Sequence, residues 1–256
     1  MKICRCRHQG GVSWGILEAS QVALLAGTPF DGIVRTGASV ALADAKMLAP
    51  CTPSKIIGVG LNYRAHAEEM RKPIPSRPLL FLKPPTCVLD PGAPIRLPPE
   101  SAEVHYEAEL AVVVGRRMRR ASPAQAREAV LGFTCFNDVT ARDIQRAEVQ
   151  YTRAKGFDTF GPLGPVIETD LDPRKLAVKA VINGTVRQLG STSDMIFDVF
   201  ELLSFASRGM TLLPGDVLTT GTPPGVGPLA AGDVVEVSVE NIGVLRNPVL
   251  NEDEGP

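Results

Sequence analysis

The chain has 256 residues, 27 Lys and Arg against 28 Asp and Glu, 3 His and a formal net charge of -1. That balance offers no broad basic surface for nucleic acid or an anionic membrane, and no apolar run is long enough to cross a bilayer, so neither is an expected partner. The length allows one main domain with a small appendage.

The opening MKICRCRHQGG is basic but is not followed by the apolar core of a secretory signal, so the chain is expected to stay in the cytoplasm. The 5 cysteines, Cys4, Cys6, Cys51, Cys87 and Cys135, are odd in number and scattered, which fits free thiols in a reduced compartment. Cys4, Cys6 and His8 would share one face of a strand, but a fourth metal ligand is missing. A first strand with Arg5 and Arg7 toward water is the expected reading. ASQVALLAG reads as a helix-like patch, and the prolines of APCTPSK punctuate before IIGVG, giving a small N-terminal subdomain over 1–54.

From there LLFLKP, AVVVG, FTCFND and VLTTG are short apolar or β-branched runs with the pattern of buried strands. Ser122 as N-cap and Pro123 at the first helical position predict a helix running through AQAREAVL to Gly132. A second helix is predicted from Ser193 or Asp194 to Gly209, with Met195, Val199, Leu202, Leu203 and Ala206 at helical spacing. Asn183-Gly184 predicts a hairpin with a type I′ turn, and Val235, Val237 and Val239 predict one buried strand face. Many strands and few helices make the class α+β and mainly β, with a main domain over 55–250 and a frayed tail over 251–256.

EVHYEAELAVVVG poses the chemical question. In a strand, His105, Glu107, Glu109, Ala111 and Val113 share a face that turns apolar just after two carboxylates. Adjacent carboxylates near a core need a basic partner, a shared proton or a cation, and the strand alone leaves all three open. Asp138, at the end of FTCFND, would complete an oxygen set suited to Mg2+ or Mn2+. The plainer alternatives are an ordinary half-exposed E-x-E strand and an Asp138 that caps a helix beginning near Thr140.

Three other stretches offer polar groups. In GLNYRAHAEEMRK, His66 and Glu69 stand three apart on one helical face, where a carboxylate can orient an imidazole for proton transfer; an exposed helix with incidental charges is the simpler alternative. The preceding GVG lacks the rest of a dinucleotide fingerprint. Lys155 in RAKGFDTFGP could neutralise a substrate carboxylate or a developing enolate, or be a solvated loop lysine. TTGTPPGVGP lacks the ending of a phosphate-binding loop and reads as an irregular loop whose Thr222 hydroxyl and amides could hold a ligand oxygen.

Taken in order, GLNYRAHAEE, LFLKP, VHYEAELAVVVG, GFTCFNDVTARDIQ, AKGFDTFGPLGP, INGTVRQ, STSDMIF, LLPGDVLTTGTPPGVGP and GDVVEVSVENIG resemble the fumarylacetoacetate hydrolase family over roughly residues 55–243. The resemblance implies a mixed, mostly β sandwich or roll as the catalytic domain and a divalent metal, Mg2+ or Mn2+, held by Glu107, Glu109 and Asp138. It implies a His66–Glu69 pair on a segment that orders over substrate. It also implies Lys155, Gln145 and Thr222 at the substrate, with Lys83 and Arg142 as nearby charges. It further implies a homodimer acting on small 2-oxo acid or acylpyruvate substrates, such as those of aromatic catabolism. Hydrolysis of a C–C bond through a metal-stabilised enolate is the expectation. The alternatives are 2-hydroxyhepta-2,4-diene-1,7-dioate isomerase activity with its linked 5-carboxymethyl-2-oxo-hex-3-ene-1,7-dioate decarboxylase, oxaloacetate decarboxylation, and a catalytically silent binding protein.

Overall fold

The computed structural model describes residues 1–253. The N-terminal segment forms β1 (Lys2–His8), β2 (Gly11–Leu17), β3 (Gln21–Leu25), β4 (Arg35–Ala41) and β5 (Lys46–Leu48). Next come β6 (Ile56–Gly60), α1 (Arg64–Glu69), β7 (Leu79–Lys83), β8 (Val88–Leu89), β9 (Ile95–Leu97), β10 (Val104–Tyr106) and β11 (Ala108–Val114). Then follow α2 (Pro123–Glu128), β12 (Val130–Asn137), β13 (Thr140–Ala141), α3 (Arg142–Ala147), α4 (Thr152–Lys155) and β14 (Gly161–Glu168). The rest is β15 (Ala177–Ile182), β16 (Thr185–Ser191), α5 (Val199–Gly209), β17 (Val217–Thr219), β18 (Gly227–Pro228), β19 (Val234–Val239) and β20 (Gly243–Asn251). The protein is thus mainly β, with short helices, and no helix among the described residues is long and apolar enough to cross a membrane.

The strands form three sheets. The largest has the order β4-β3-β2-β1-β14-β12-β11-β17-β6-β7, with β5 on β1 and β8 on β14; the others are β13-β10-β18 and β16-β15-β19-β20-β9. Because β1 lies antiparallel on β14, the N-terminal strands extend the main sheet. The buried Asp216 carboxylate fastens the junction by accepting the Ser54 N–H at 3.0 Å and the Ser54 hydroxyl at 2.6 Å, with the Lys55 ammonium against its other oxygen.

β11 explains the unbroken AVVVG. It runs between β12 and β17, and both of its faces are covered. Leu110, Val112 and Val114 join a core shared with Val178, Ala180, Val235 and Val237 of the five-stranded sheet. Ala111 and Val113 join a second core with Ile3, Ile56, Phe136 and Ile167. Burying such a side chain stabilises the fold by roughly 1.5–3 kcal/mol, so the strand that carries the carboxylates is firmly anchored.

Several sequence expectations change at element boundaries. ASQVALLAG is strand, not helix: Gln21–Leu25 pairs with β2 on one side and β4 on the other, and two ladders outweigh the helix propensity of Ala and Leu. The helix after Ser122 has the expected start, with a capping box to Gln125, but ends at Glu128 because Val130 is drawn into β12 opposite Val114. α5 starts later than expected, at Val199, because Asp198 and Glu201 form a capping box; Asp194 closes a 3-10 turn, and Met195 bridges to Tyr63. LLFLK is strand β7, but it is a half-exposed edge with Leu79 and Leu82 each 43% exposed.

The Asn183-Gly184 hairpin joins β15 to β16 with both φ angles positive, 50° and 78°, as a type I′ turn requires. Val235, Val237 and Val239 are buried along β19. Cys4 and Cys6 face the core and Arg7 faces water, while the His8 ring bonds the Ser13 hydroxyl at 2.9 Å. At the C-terminus, Asn251 is paired to Leu97; residues 254–256 of the expected frayed tail lie outside the described residues.

Candidate active site

Glu107 sits in a one-residue interruption between β10 and β11. Its N–H leaves the ladder to donate to Asn137 Oδ1 at 2.9 Å, and its C=O accepts the Asp138 N–H at 2.9 Å. Asp138 follows directly on β12, whose register sets Ala108 opposite Asn137. The turn of one strand thereby meets the end of its neighbour, and carboxylate oxygens of Glu107, Glu109 and Asp138 lie within 4.8 Å of one another, all buried. Asp138 is not a helix cap, since Ala141 precedes α3.

Basic side chains approach two of these carboxylates. Lys155 Nζ donates to Glu107 at 3.0 Å, to Asp138 at 2.5 Å and to the Thr140 hydroxyl at 2.9 Å. Lys83 Nζ donates to the other Asp138 oxygen at 2.5 Å and to the Phe160 carbonyl at 2.8 Å. Arg142 pairs with Glu107 and also donates to Gln145 Oε1 at 2.8 Å. Lys155 is therefore a buried member of an ion network, not a solvated loop residue. Burial alone would raise the Glu107 carboxyl, but Arg142 and Lys155 hold it below its ordinary value. Burial would lower Lys155, but Asp138 and Glu107 hold it above.

Glu109 differs. Among the described residues no ion pair reaches it, and its Oε2 accepts the Gly221 N–H at 2.8 Å. Burial, then Asp138 and Glu107, push its carboxyl well above the usual range. Three buried carboxylates, one with no ion pair among the described residues, fit a hard divalent cation bound through oxygen. Gly221 is needed beside Glu109: its φ is +85°, and a Cβ there would meet the Asn62 Cβ at 2.9 Å.

His66 and Glu69 meet as their spacing predicts. His66 Nδ1 lies 2.8 Å from Glu69 Oε2, while Glu69 Oε1 accepts the Gly225 N–H at 2.9 Å. An ionised carboxylate only accepts, so Nδ1 carries the proton and Nε2 is left as the basic nitrogen.

An open cleft brings part of these groups together, lined among others by His66, Glu107, Arg142, Gln145, Lys155 and Thr222. Asp138, Glu109, Lys83 and Glu69 are not part of the lining: Asp138 is joined to the cleft residue Lys155 and to Lys83, and Glu69 holds the cleft residue His66. Thr222 lines the cleft, but its hydroxyl donates to the Ala108 carbonyl at 2.8 Å and accepts from Gln188 Nε2 at 2.8 Å, so its proton is committed. Lys72 and Tyr151 also line the cleft. Sequence reading missed both, although Tyr151 is a lone aromatic in the polar stretch AEVQYTRAK. The Cys4, Cys6 and His8 pattern forms no such cluster: the cation-competent group among the described residues is the carboxylate triad.

Residues 55–250 match the fumarylacetoacetate (FAA) hydrolase C-terminal family, and residues 1–50 match the Rv2993c-like, N-terminal family. The solved 5-carboxymethyl-2-hydroxymuconate delta-isomerase from Mycobacterium smegmatis is 45% identical, with a TM-score of 0.93 over 98% of this chain and 100% of that one. Oxaloacetate tautomerase fahd2, mitochondrial, from Xenopus laevis is 42% identical over 217 residues, 80% of this chain and 68% of its own. The solved maleylpyruvate hydrolase from Sphingobium sp. SYK-6, in complex with manganese(II) ion and pyruvate, is 28% identical, with a TM-score of 0.80 over 98% of this chain and 99% of that one. With its fold, its buried triad and these matches, the chain belongs to the fumarylacetoacetate hydrolase family and is an enzyme of that family.

Proposed function

We propose that this enzyme uses Mg2+ or Mn2+ at Glu107, Glu109 and Asp138 to act on a small 2-oxo dicarboxylate, transferring a proton at the carbon beside the ketone. The observation that carries the reading is one cleft lined by Glu107 of the buried triad, by His66 of the dyad with Glu69, and by the cations Lys72, Arg142 and Lys155. Relatives at 45% and 42% identity are an isomerase and a tautomerase, both of which move protons without hydrolysis.

A bound divalent ion would supply Lewis acidity to the ketone oxygen of a chelating 2-oxo acid. The chain's own residues bind and move the proton. Arg142, held by Glu107 and Gln145, presents a guanidinium to the cleft for a substrate carboxylate. Glu69 fixes the His66 ring, so that Nε2 takes a proton from the substrate carbon and returns it at a new position. Lys155 and Lys83 offset the carboxylate charge beneath the cleft.

Hydrolysis of an acylpyruvate C–C bond is the second reading. The same dyad favours it, since His66 can deprotonate water as readily as carbon, and the maleylpyruvate hydrolase shares the fold. Oxaloacetate, an oxo-diene dicarboxylate and acylpyruvates incubated in D2O with Mn2+, with and without chelator, and followed by NMR separate the two. Deuterium entry or double-bond migration with the carbon skeleton intact is expected; cleavage to pyruvate and a carboxylic acid would favour hydrolysis. No turnover of any of these would contradict both.

We propose, in addition, that the protein is a cytoplasmic homodimer. All of its cysteines are buried free thiols, and the edge strand β7 presents Leu79 and Leu82 for a partner to cover. Sedimentation at micromolar concentration tests it, with a monomer as the contradicting result.

A further inference from the structure

We propose that Gln188 is a positioning residue that fixes the Glu107–Ala108–Glu109 segment and thereby sets which divalent ion the triad accepts. The inference rests on reading the triad as a cation site. Gln188 lies on β16, far along the chain from the carboxylates, and is 1% exposed. Its amide closes a ring with the peptide that links the two glutamates. Ala108 N–H donates to Gln188 Oε1 at 2.9 Å, Gln188 Nε2 donates to Thr222 Oγ1 at 2.8 Å, and Thr222 Oγ1 donates to the Ala108 carbonyl at 2.8 Å.

The second Nε2 proton goes to the Pro223 carbonyl at 2.7 Å. A backbone N–H can only donate and a backbone carbonyl can only accept, so the two ends of the Gln188 amide have one consistent assignment. Both polar groups of Ala108 are therefore held by side chains. Glu107 is held from the other side by Asn137 and the Asp138 N–H. The ring controls the peptide on which two ligands are mounted, while Gln188 itself stays off the cleft wall.

Rigidity there bears on ion choice. Mg2+ demands near-octahedral oxygens at about 2.0–2.1 Å, whereas Ca2+ accepts irregular sets at about 2.3–2.6 Å. Mn2+ also belongs with oxygen-donor octahedral sites. A pinned Glu107–Glu109 spacing favours the smaller ions, and a loosened one favours Ca2+.

Gln188→Met keeps length and burial but removes both ring bonds that Gln188 makes, leaving only Thr222 Oγ1 on the Ala108 carbonyl. Calorimetric titration with Mn2+ and with Ca2+ at one pH should show Mn2+ affinity falling by about tenfold or more. Ca2+ affinity should fall by less than about threefold, the looser coordination tolerating the change. Thr222→Val breaks the same ring, so the double variant should lose less Mn2+ affinity than the two single losses added together. In metal-free protein, hydrogen exchange of a peptide spanning 104–110 should accelerate in either variant. If Gln188→Met does not fold, Gln188→Glu, which keeps the acceptor for Ala108 but loses both donors, is read for the same Mn2+/Ca2+ ratio. A folded variant with the wild-type ratio overturns the role of Gln188 while leaving the cation site standing. Wild-type protein that binds no Mn2+ overturns the cation site and this inference with it.

Discussion

His66 Nδ1 lies 2.8 Å from Glu69 Oε2, and the other oxygen of that carboxylate takes the Gly225 N–H at 2.9 Å. One side chain thus orients the imidazole and joins α1 to the glycine-rich loop that follows β17. His66→Ala is expected to lower turnover by roughly 10²–10⁴-fold while Mn2+ affinity stays at the wild-type value. Glu69→Gln should lose less, since it can still hold the ring. Steady-state kinetics beside calorimetry checks both, and wild-type turnover in His66→Ala would remove His66 from the mechanism.

The buried lysines make a stability prediction. Lys83 and Lys155 each bond Asp138, and both ammonium-bearing side chains are buried. Lys155→Met should destabilise metal-free protein by up to about 3–5 kcal/mol, because it removes the ammonium that Glu107 and Asp138 share and leaves each with a single cationic partner. Excess Mn2+ should recover part of that loss by binding the native state. Thermal melts with and without Mn2+ measure it; an unchanged midpoint without metal would contradict the network.

Glu109 makes a pH prediction. Its carboxyl is raised well above 4.5 by burial and by its carboxylate neighbours. The protonated form is therefore favoured in the metal-free fold, and its contribution to stability is fully present below the unfolded value. That contribution is lost as pH rises through the higher folded value. A cation needs the ionised form, so Mn2+ affinity should climb over the same interval and binding there should release a proton. Titrations in two buffers of different ionisation enthalpy report the proton directly. Equal heats in both would contradict the assignment.

Much of this was legible in the sequence because it is local. Ser122 with Gln125, the Asn-Gly turn and the i, i+3 pair of His66 and Glu69 are each decided by neighbours a few residues apart. The carboxylates were visible as charges out of place, but strand alternation could not choose between a basic partner, a proton and a cation. The structure shows that the first applies to Glu107 and Asp138 and not to Glu109. What stayed hidden depends on distant pairing. β3 looks helical until two neighbouring strands are supplied, and Gln188 looks like an ordinary residue of a hairpin until the fold brings Ala108 and Thr222 to its amide. Thr222 shows the converse: its residue type suggested a ligand contact, but its hydroxyl proton is committed to the backbone.

The central claim is that Glu107, Glu109 and Asp138 hold one divalent ion. Glu109→Gln is the cleanest probe, because among the described residues this carboxylate has no lysine or arginine ion pair to strand when it is neutralised. Calorimetric titration of Mn2+ should show one site per chain in the wild type and affinity at least about a hundredfold weaker in folded Glu109→Gln. Equal affinity in the two proteins would contradict the site.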